Sequence, residues 1–174
     1  MGSLPESLRE LMSTFPLPGT VVWIGVRPAP RAPMSSLESV QAIAGRGLAG
    51  DRSAEKSRPG NARQVTLIQA EHLEAMGRLL RCGSIDPALT RRNLVIAGVN
   101  LVSLKGHRFA IGEALFEMTG DCPPCSRMES QLGPGGYNAM RGHGGITARV
   151  VEGGLIRVGA ALRPVVAGTP VVPE

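Results

Sequence analysis

Two of the chain's three cysteines stand in the run Asp121-Cys122-Pro123-Pro124-Cys125-Ser126-Arg127, directly ahead of an arginine. A cation beside a thiol lowers its pKa from the usual ~8.5, and the resulting thiolate is both a nucleophile and a ligand for soft metals. Cys125 has the more distinctive setting, because Pro124 restrains its backbone and Arg127 stands two residues on, where its guanidinium can support a thiolate. Three chemistries share the Cys-x-x-Cys spacing: a dithiol redox pair, half of a zinc site, and two small apolar side chains at a strand end. Zinc is the weakest of them, since only Cys82 remains and His143, the nearest following imidazole, brings no second ligand at motif spacing. A thioredoxin-type pair wants a βαβ frame, and the sequence around Met118 and Thr119 lacks one.

A second candidate is Gly45-Arg46-Gly47-Leu48-Ala49-Gly50-Asp51-Arg52, with Lys56 just beyond. Such a segment can form a concave set of backbone N–H groups flanked by cations, suited to an oxyanion, or simply a surface corner with Asp51 and Arg52 paired. It is not a P-loop, because no Gly-Lys-Ser/Thr ends it. A further glycine-rich loop spans 135–145, and His143 within it has glycine on both sides, which suits an exposed position or the wall of a cleft. His72 and His107 read as helix and turn residues, and no Gly-x-Ser-x-Gly elbow is present.

These residues must be held by a chain of 174 residues, enough for one domain. The expected division is an N-terminal extension over 1–19, a domain over 20–166 and a tail over 167–174. With Gly 23 and Pro 14, periodic segments must be short and broken by turns, which favours strands over a helical bundle. The aromatic share of 3% argues against a domain that reads bases by stacking. The net charge is +5, and of 19 basic residues only Lys56 and Lys105 are lysines, a bias toward the planar fork that grips phosphate or carboxylate. The arginines are dispersed and no nucleic-acid motif surrounds Arg91-Arg92, so a small anionic ligand is expected rather than nucleic acid. No apolar run approaches the ~20 residues of a membrane span, and an odd number of cysteines suits a reducing compartment. A cytoplasmic protein with no membrane partner is the expectation.

Thr20–Val26 reads as a buried strand, residues 27–36 as an extended loop, Leu37–Ile43 as a further strand and Arg63–Ile68 as another. Leu73, Met76, Leu79 and Leu80 place a helix over about 70–81, and Asp86-Pro87 predicts a helical turn before Arg91. Strands follow at 93–97, 108–111 and 114–119, the last running into the cysteine loop. Residues 146–151 and 155–158 read as a hairpin about Glu152-Gly153-Gly154, and 161–166 closes the sheet, with Pro164 at an edge or bulge. About eight short strands, one principal helix and glycine corners predict a mostly β fold, a closed or nearly closed mixed β-barrel with a few short helices.

The ordered pieces Gly47-Leu48-Ala49-Gly50-Asp51-Arg52, Arg63-Gln64-Val65, Arg92-Asn93-Leu94-Val95, residues 109–114, Pro124-Cys125-Ser126-Arg127-Met128 and residues 144–150 together resemble the MOSC family. That family is named for the C-terminal domain of molybdenum cofactor sulfurases, and the likeness, to its free-standing bacterial type, spans about residues 20–166. The resemblance implies a β-barrel that binds the pyranopterin molybdenum cofactor, with Cys125 as metal ligand and catalytic residue. It implies an oxidoreductase acting on N-hydroxylated compounds or, alternatively, a persulfide or cofactor carrier without reductase activity. Arg46, Gly50, Asp51, Arg52, Lys56, Arg63, Arg92, Asn93, Arg127 and Arg149 form the pool for cofactor contacts. Pyridoxal phosphate belongs to the aminotransferase part of fused sulfurases, so neither Lys56 nor Lys105 is expected to carry it. The chain shows no four-cysteine iron–sulfur set. A reductase would therefore draw on an electron-transfer protein, and a carrier on a cysteine desulfurase.

Overall fold

The β-branched run after Pro18 forms the strand on which the sheet closes. In chain order the elements are α1 (Leu8–Met12), β1 (Gly19–Val26), β2 (Ser35–Leu37), β3 (Ser39–Ile43), β4 (Gly47–Leu48), α2 (Arg52–Glu55), β5 (Val65–Gln69), α3 (Ala70–Leu80), α4 (Pro87–Thr90) and β6 (Leu94–Ala97). After a 3-10 turn at Leu101–Leu104 come β7 (Arg108–Ile111), β8 (Ala114–Asp121), α5 (Arg127–Leu132), α6 (Gly136–Met140), β9 (Ile146–Glu152), β10 (Gly154–Arg157) and β11 (Ala161–Val165). The structure is a computed structural model that describes residues 7–58 and 60–166; residues 1–6, Pro59 and the expected tail 167–174 lie outside the described residues.

Seven strands follow one another in the order β11-β7-β8-β9-β5-β6-β1, and β1 pairs back onto β11, which makes a closed barrel. β5 and β6 are parallel and the other pairs are antiparallel, so the barrel is mixed, as expected. A parallel pair requires a crossover, and α3 and α4 lie within it. The second edge of β1 is shared: β11 takes Gly19 and Thr20, and β2 takes Ile24 to Val26. Pro164 lies past that short closure, opposite Phe109 of β7, so its missing N–H falls where no strand of β1 is paired. A separate sheet orders β10-β3-β4.

Three expectations change. The hairpin between 146–151 and 155–158 does not form; β10 pairs with β3 instead, Ile156 opposite Val40. Gly153 and Gly154 explain this, because a Cβ at either would collide with the backbone of Ala42 or Glu113, so the glycine pair lets the chain pass between the two sheets. The strand expected at 37–43 is divided into β2 and β3 at Glu38, and the glycine loop 135–145 contains α6. α6 is too short for a periodic signal, and its cap comes from another element. The Glu129 carboxylate of α5 accepts the N–H groups of Gly135 (2.7 Å) and Tyr137 (2.9 Å), first the Tyr137 and then the Gly135 bond holding its carboxyl below the usual range.

Alternation along β5 and β6 builds two cores from the same strands. Leu67, Leu94 and Ile96 face the barrel interior with Ile24, Phe109 and Phe116, the two rings stacked at 5.6 Å. Ile68 and Val95 face outward and pack with Leu73, Met76, Met128 and Met140 under α3, α5 and α6. Each such buried side chain is worth about 1.5–3 kcal/mol. Leu79, expected on the apolar stripe of α3, is exposed instead. Among the described residues no helix is long and apolar enough to cross a membrane.

The α3–α6 region also brings two imidazoles together. His72 and His143 meet edge to face at 5.0 Å, and Nδ1 of His72 is buried without a hydrogen-bond partner. Burial first, and then the charge of His143, push the His72 pKa below 6.5, against smaller opposing effects of a hydrogen bond to the His143 backbone and of Glu71.

A histidine that resists protonation in the fold contributes stability above its unfolded pKa and loses it as pH falls through the folded value. Stability should therefore decline as pH falls below about 6.5, and His72→Leu should flatten that part of the curve, as read from denaturant midpoints. Gly145, at φ +82°, lies so close to the Leu67 carbonyl that a Cβ would overlap it. Gly145→Ala is expected to lower the unfolding free energy by about 2–4 kcal/mol, measured by chemical denaturation.

Candidate functional site

The register places the end of β1 beside the start of β6 (Ile24 opposite Leu94), and the start of β6 beside that of β5 (Leu94 opposite Leu67). Ile146 at the start of β9 opposes both Leu67 of β5 and Asp121 at the end of β8. Arg27, the segment Arg63–Thr66, Arg92-Asn93 and the cysteine loop thus meet beside this row of paired residues. They surround a cavity of about 400 Å³.

Arg92 organises this cavity. It is 6% exposed, yet its Nε donates to the Gly144 carbonyl (2.8 Å), Nη1 to that of Thr90 (3.0 Å), and Nη2 to those of Cys122 (2.7 Å) and Pro123 (3.3 Å). Burial lowers its pKa, with the two thiols Cys122 and Cys125 opposing the shift and Arg63 adding to it. Cys122 is further fixed by its N–H to the Gly145 carbonyl (2.9 Å), and its Sγ receives a long contact from Arg63 Nη2 at 3.9 Å. Cys122 is buried and Cys125 is exposed, both on the cavity wall.

The opposite wall is braced by Asp51 and Asn93, both buried. Asp51 Oδ1 caps α2 through the Ser53 N–H (2.8 Å), while Oδ2 accepts the Arg27 N–H (2.9 Å) and Asn93 Nδ2 (3.1 Å). Asn93 Nδ2 also donates to the Gly25 carbonyl, and its Oδ1 accepts the N–H and hydroxyl of Thr66. These polar atoms are spent within the fold. Beside them, Arg27 and Arg52 each have a buried Nε with no partner.

Of the residues in the sequence pool, Cys125, Asp51, Arg52, Arg63, Arg92, Asn93 and Arg127 line the cavity. Arg46 instead donates to the Ala54 carbonyl (3.2 Å), Lys56 is an exposed cap of α2, and Arg149 pairs with Glu117 at 2.8 Å beside a separate hollow. Gly50, at φ +77°, leads into Asp51 without lining the cavity. Arg27 and Arg91 were absent from the pool and do line it. Arg91 adopts the left-handed conformation (φ 61°, ψ 27°) between α4 and β6, a turn that separates it from Arg92. The adjacent pair of arginines was the visible signal; Arg27 had none beyond following a strand. No cluster of three or more His, Cys, Asp or Glu able to hold a metal occurs among the described residues.

A closed mixed barrel with an arginine-lined cavity that carries a thiol on its wall defines the class of protein. The MOSC domain profile matches residues 54–163, more than half of the chain, and the chain belongs to the MOSC domain family. Similar solved structures include YuaD from Bacillus subtilis, 18% identical with a TM-score of 0.71, covering 84% of this chain and 94% of that one. YiiM from Escherichia coli is 20% identical with a TM-score of 0.67, covering 90% and 73% respectively. YiiM from Geobacillus stearothermophilus is also 20% identical, with a TM-score of 0.68 and coverage of 87% and 77%. At these identities the likeness is one of fold. A search of curated proteins found no match.

In the folded protein Cys125 should react with iodoacetamide while Cys122 stays protected until denaturant is added, as followed by peptide mass spectrometry. Arg92→Met should cost about 3–5 kcal/mol, since it strands carbonyls that the guanidinium satisfies, and should expose Cys122 to the same reagent.

Proposed function

We propose that the cavity binds the pyranopterin molybdenum cofactor and that the chain is the catalytic component of a reductase acting on N-hydroxylated compounds. The observation that carries this reading is the exposed thiol of Cys125 on the wall of a cavity that also holds two partnerless buried guanidinium nitrogens, Nε of Arg27 and of Arg52. The donor set suits the group: it carries a phosphate, a polar pterin and a metal already held by its own dithiolene sulfurs, so one soft thiolate suffices from the protein. This fits a site without a multi-residue metal cluster. When bound, the cofactor supplies the redox chemistry.

The chain's own residues divide the remaining work. Cys125 Sγ is the metal ligand in this reading. Arg27 and Arg52 donate to the phosphate, with Arg63 and Arg127 at the mouth. Arg92 holds the cysteine loop, and Asp51 and Asn93 hold the opposite wall, rather than touching the ligand themselves. Arg46, Lys56 and Arg149, which lie outside the cavity, take no part in this arrangement. Electrons come from a separate electron-transfer protein. The cytoplasm, where thiols stay reduced, suits the exposed Cys82 and Cys125.

Purification from a host that makes the cofactor, followed by metal analysis and pterin fluorescence, tests this directly. Near-stoichiometric molybdenum is expected in the wild type, with at least about a tenfold loss in Cys125→Ala. Reduction of an amidoxime is expected only with an added electron donor. No metal or pterin beside a loaded control, with persulfide transferred from a cysteine desulfurase to Cys125, would select a sulfur carrier instead.

A further inference from the structure

The cavity carries more positive charge than its proposed cofactor neutralises. Six arginines line it, Arg27, Arg52, Arg63, Arg91, Arg92 and Arg127, against a single carboxylate, Asp51. Asp51 is already committed to two backbone N–H groups and the Asn93 amide, and none of the six guanidiniums has a carboxylate within ion-pair distance among the described residues. A phosphate monoester brings about 1.5–2 negative charges and the thiolate one more, which leaves about two guanidiniums without a counter-charge.

Unpaired cations in a concavity focus the field and attract anions from solution. Their placement is graded. Arg27 and Arg52 have buried Nε atoms, Arg91 is half-buried, and Arg63 and Arg127 are exposed. Arg91 makes no side-chain hydrogen bond or ion pair and holds a backbone conformation that costs an arginine about 1 kcal/mol or more. Nothing in the fold uses that side chain.

We infer, on the basis of the reductase reading above, that the substrate taken in this cavity is itself anionic: an N-hydroxylated compound that carries a carboxylate or phosphate, met by Arg91 and the exposed arginines of the rim. In the reaction the N–O bond breaks and the oxygen leaves as water. Two protons come from solvent and two electrons from the donor, which is oxidised. The anionic group stays unchanged and serves for binding alone.

Benzamidoxime and 4-carboxybenzamidoxime carry the same reacting group and differ in charge. With the cofactor-loaded chain and reduced methyl viologen as donor, the carboxylated compound should show a KM about tenfold lower or more at low salt, at a similar kcat. Its advantage should shrink as sodium chloride rises. Arg91→Gly, which suits the left-handed conformation and so preserves the fold, should reduce the ratio of the two KM values severalfold. Calorimetric binding of both compounds to the same loaded chain separates this inference from the reductase reading. Tighter binding of the carboxylated compound with no turnover of either would sustain the charge preference and sink the reductase. Turnover with equal KM values, or equal or absent binding of both compounds, overturns the anionic substrate.

Discussion

A positive charge buried without a carboxylate is the constraint on which this site depends. Arg92 takes the place that an apolar residue would fill more cheaply, and burial disfavours its charged form. What stabilises it is a set of carbonyls from three separate segments: Thr90 at the end of α4, Cys122 and Pro123 after β8, and Gly144 before β9. The bonds run both ways in consequence. They solvate the cation, and the cation fixes the distance between segments far apart in sequence. The cysteine loop, which has no regular secondary structure from Cys122 to Cys125, gets its position largely from this one side chain.

The pieces of sequence that carry the family resemblance therefore play two different parts. Asp51, Arg92 and Asn93 spend their polar atoms inside the fold, while Arg52 and Cys125 present theirs to the cavity. The motif is in good part a description of a frame. A buried carboxylate beside a glycine-rich segment reads as a ligand contact until the fold shows what it caps.

The barrel was legible because most of its strands are short apolar runs between glycine or proline corners, and α3 because Leu73 and Met76 recur at helical spacing. The path of β10 was not, since neighbouring strands usually pair and only the packing of Gly153 and Gly154 diverts the chain. β2 and β4, of three and two residues, have no room for a period, and α6 owes its start to a carboxylate on α5. At the site, residue types indicated a thiol among arginines. Which arginines faced it depended on parallel β5 and β6 starting at the same end, a relation between segments that no local pattern contains.

The closure of the barrel has one more consequence. Gly19 opposes Leu162 at the start of β1, whereas the cavity lies beyond Val26 at that strand's finish. The chain therefore enters and leaves the barrel on neighbouring strands, with the length of β1 between this seam and Arg27. A tether, tag or fused module attached at either side of this seam would stand a strand's length from Arg27, and joining the two sides by a short linker while cutting elsewhere would leave the strand circuit whole.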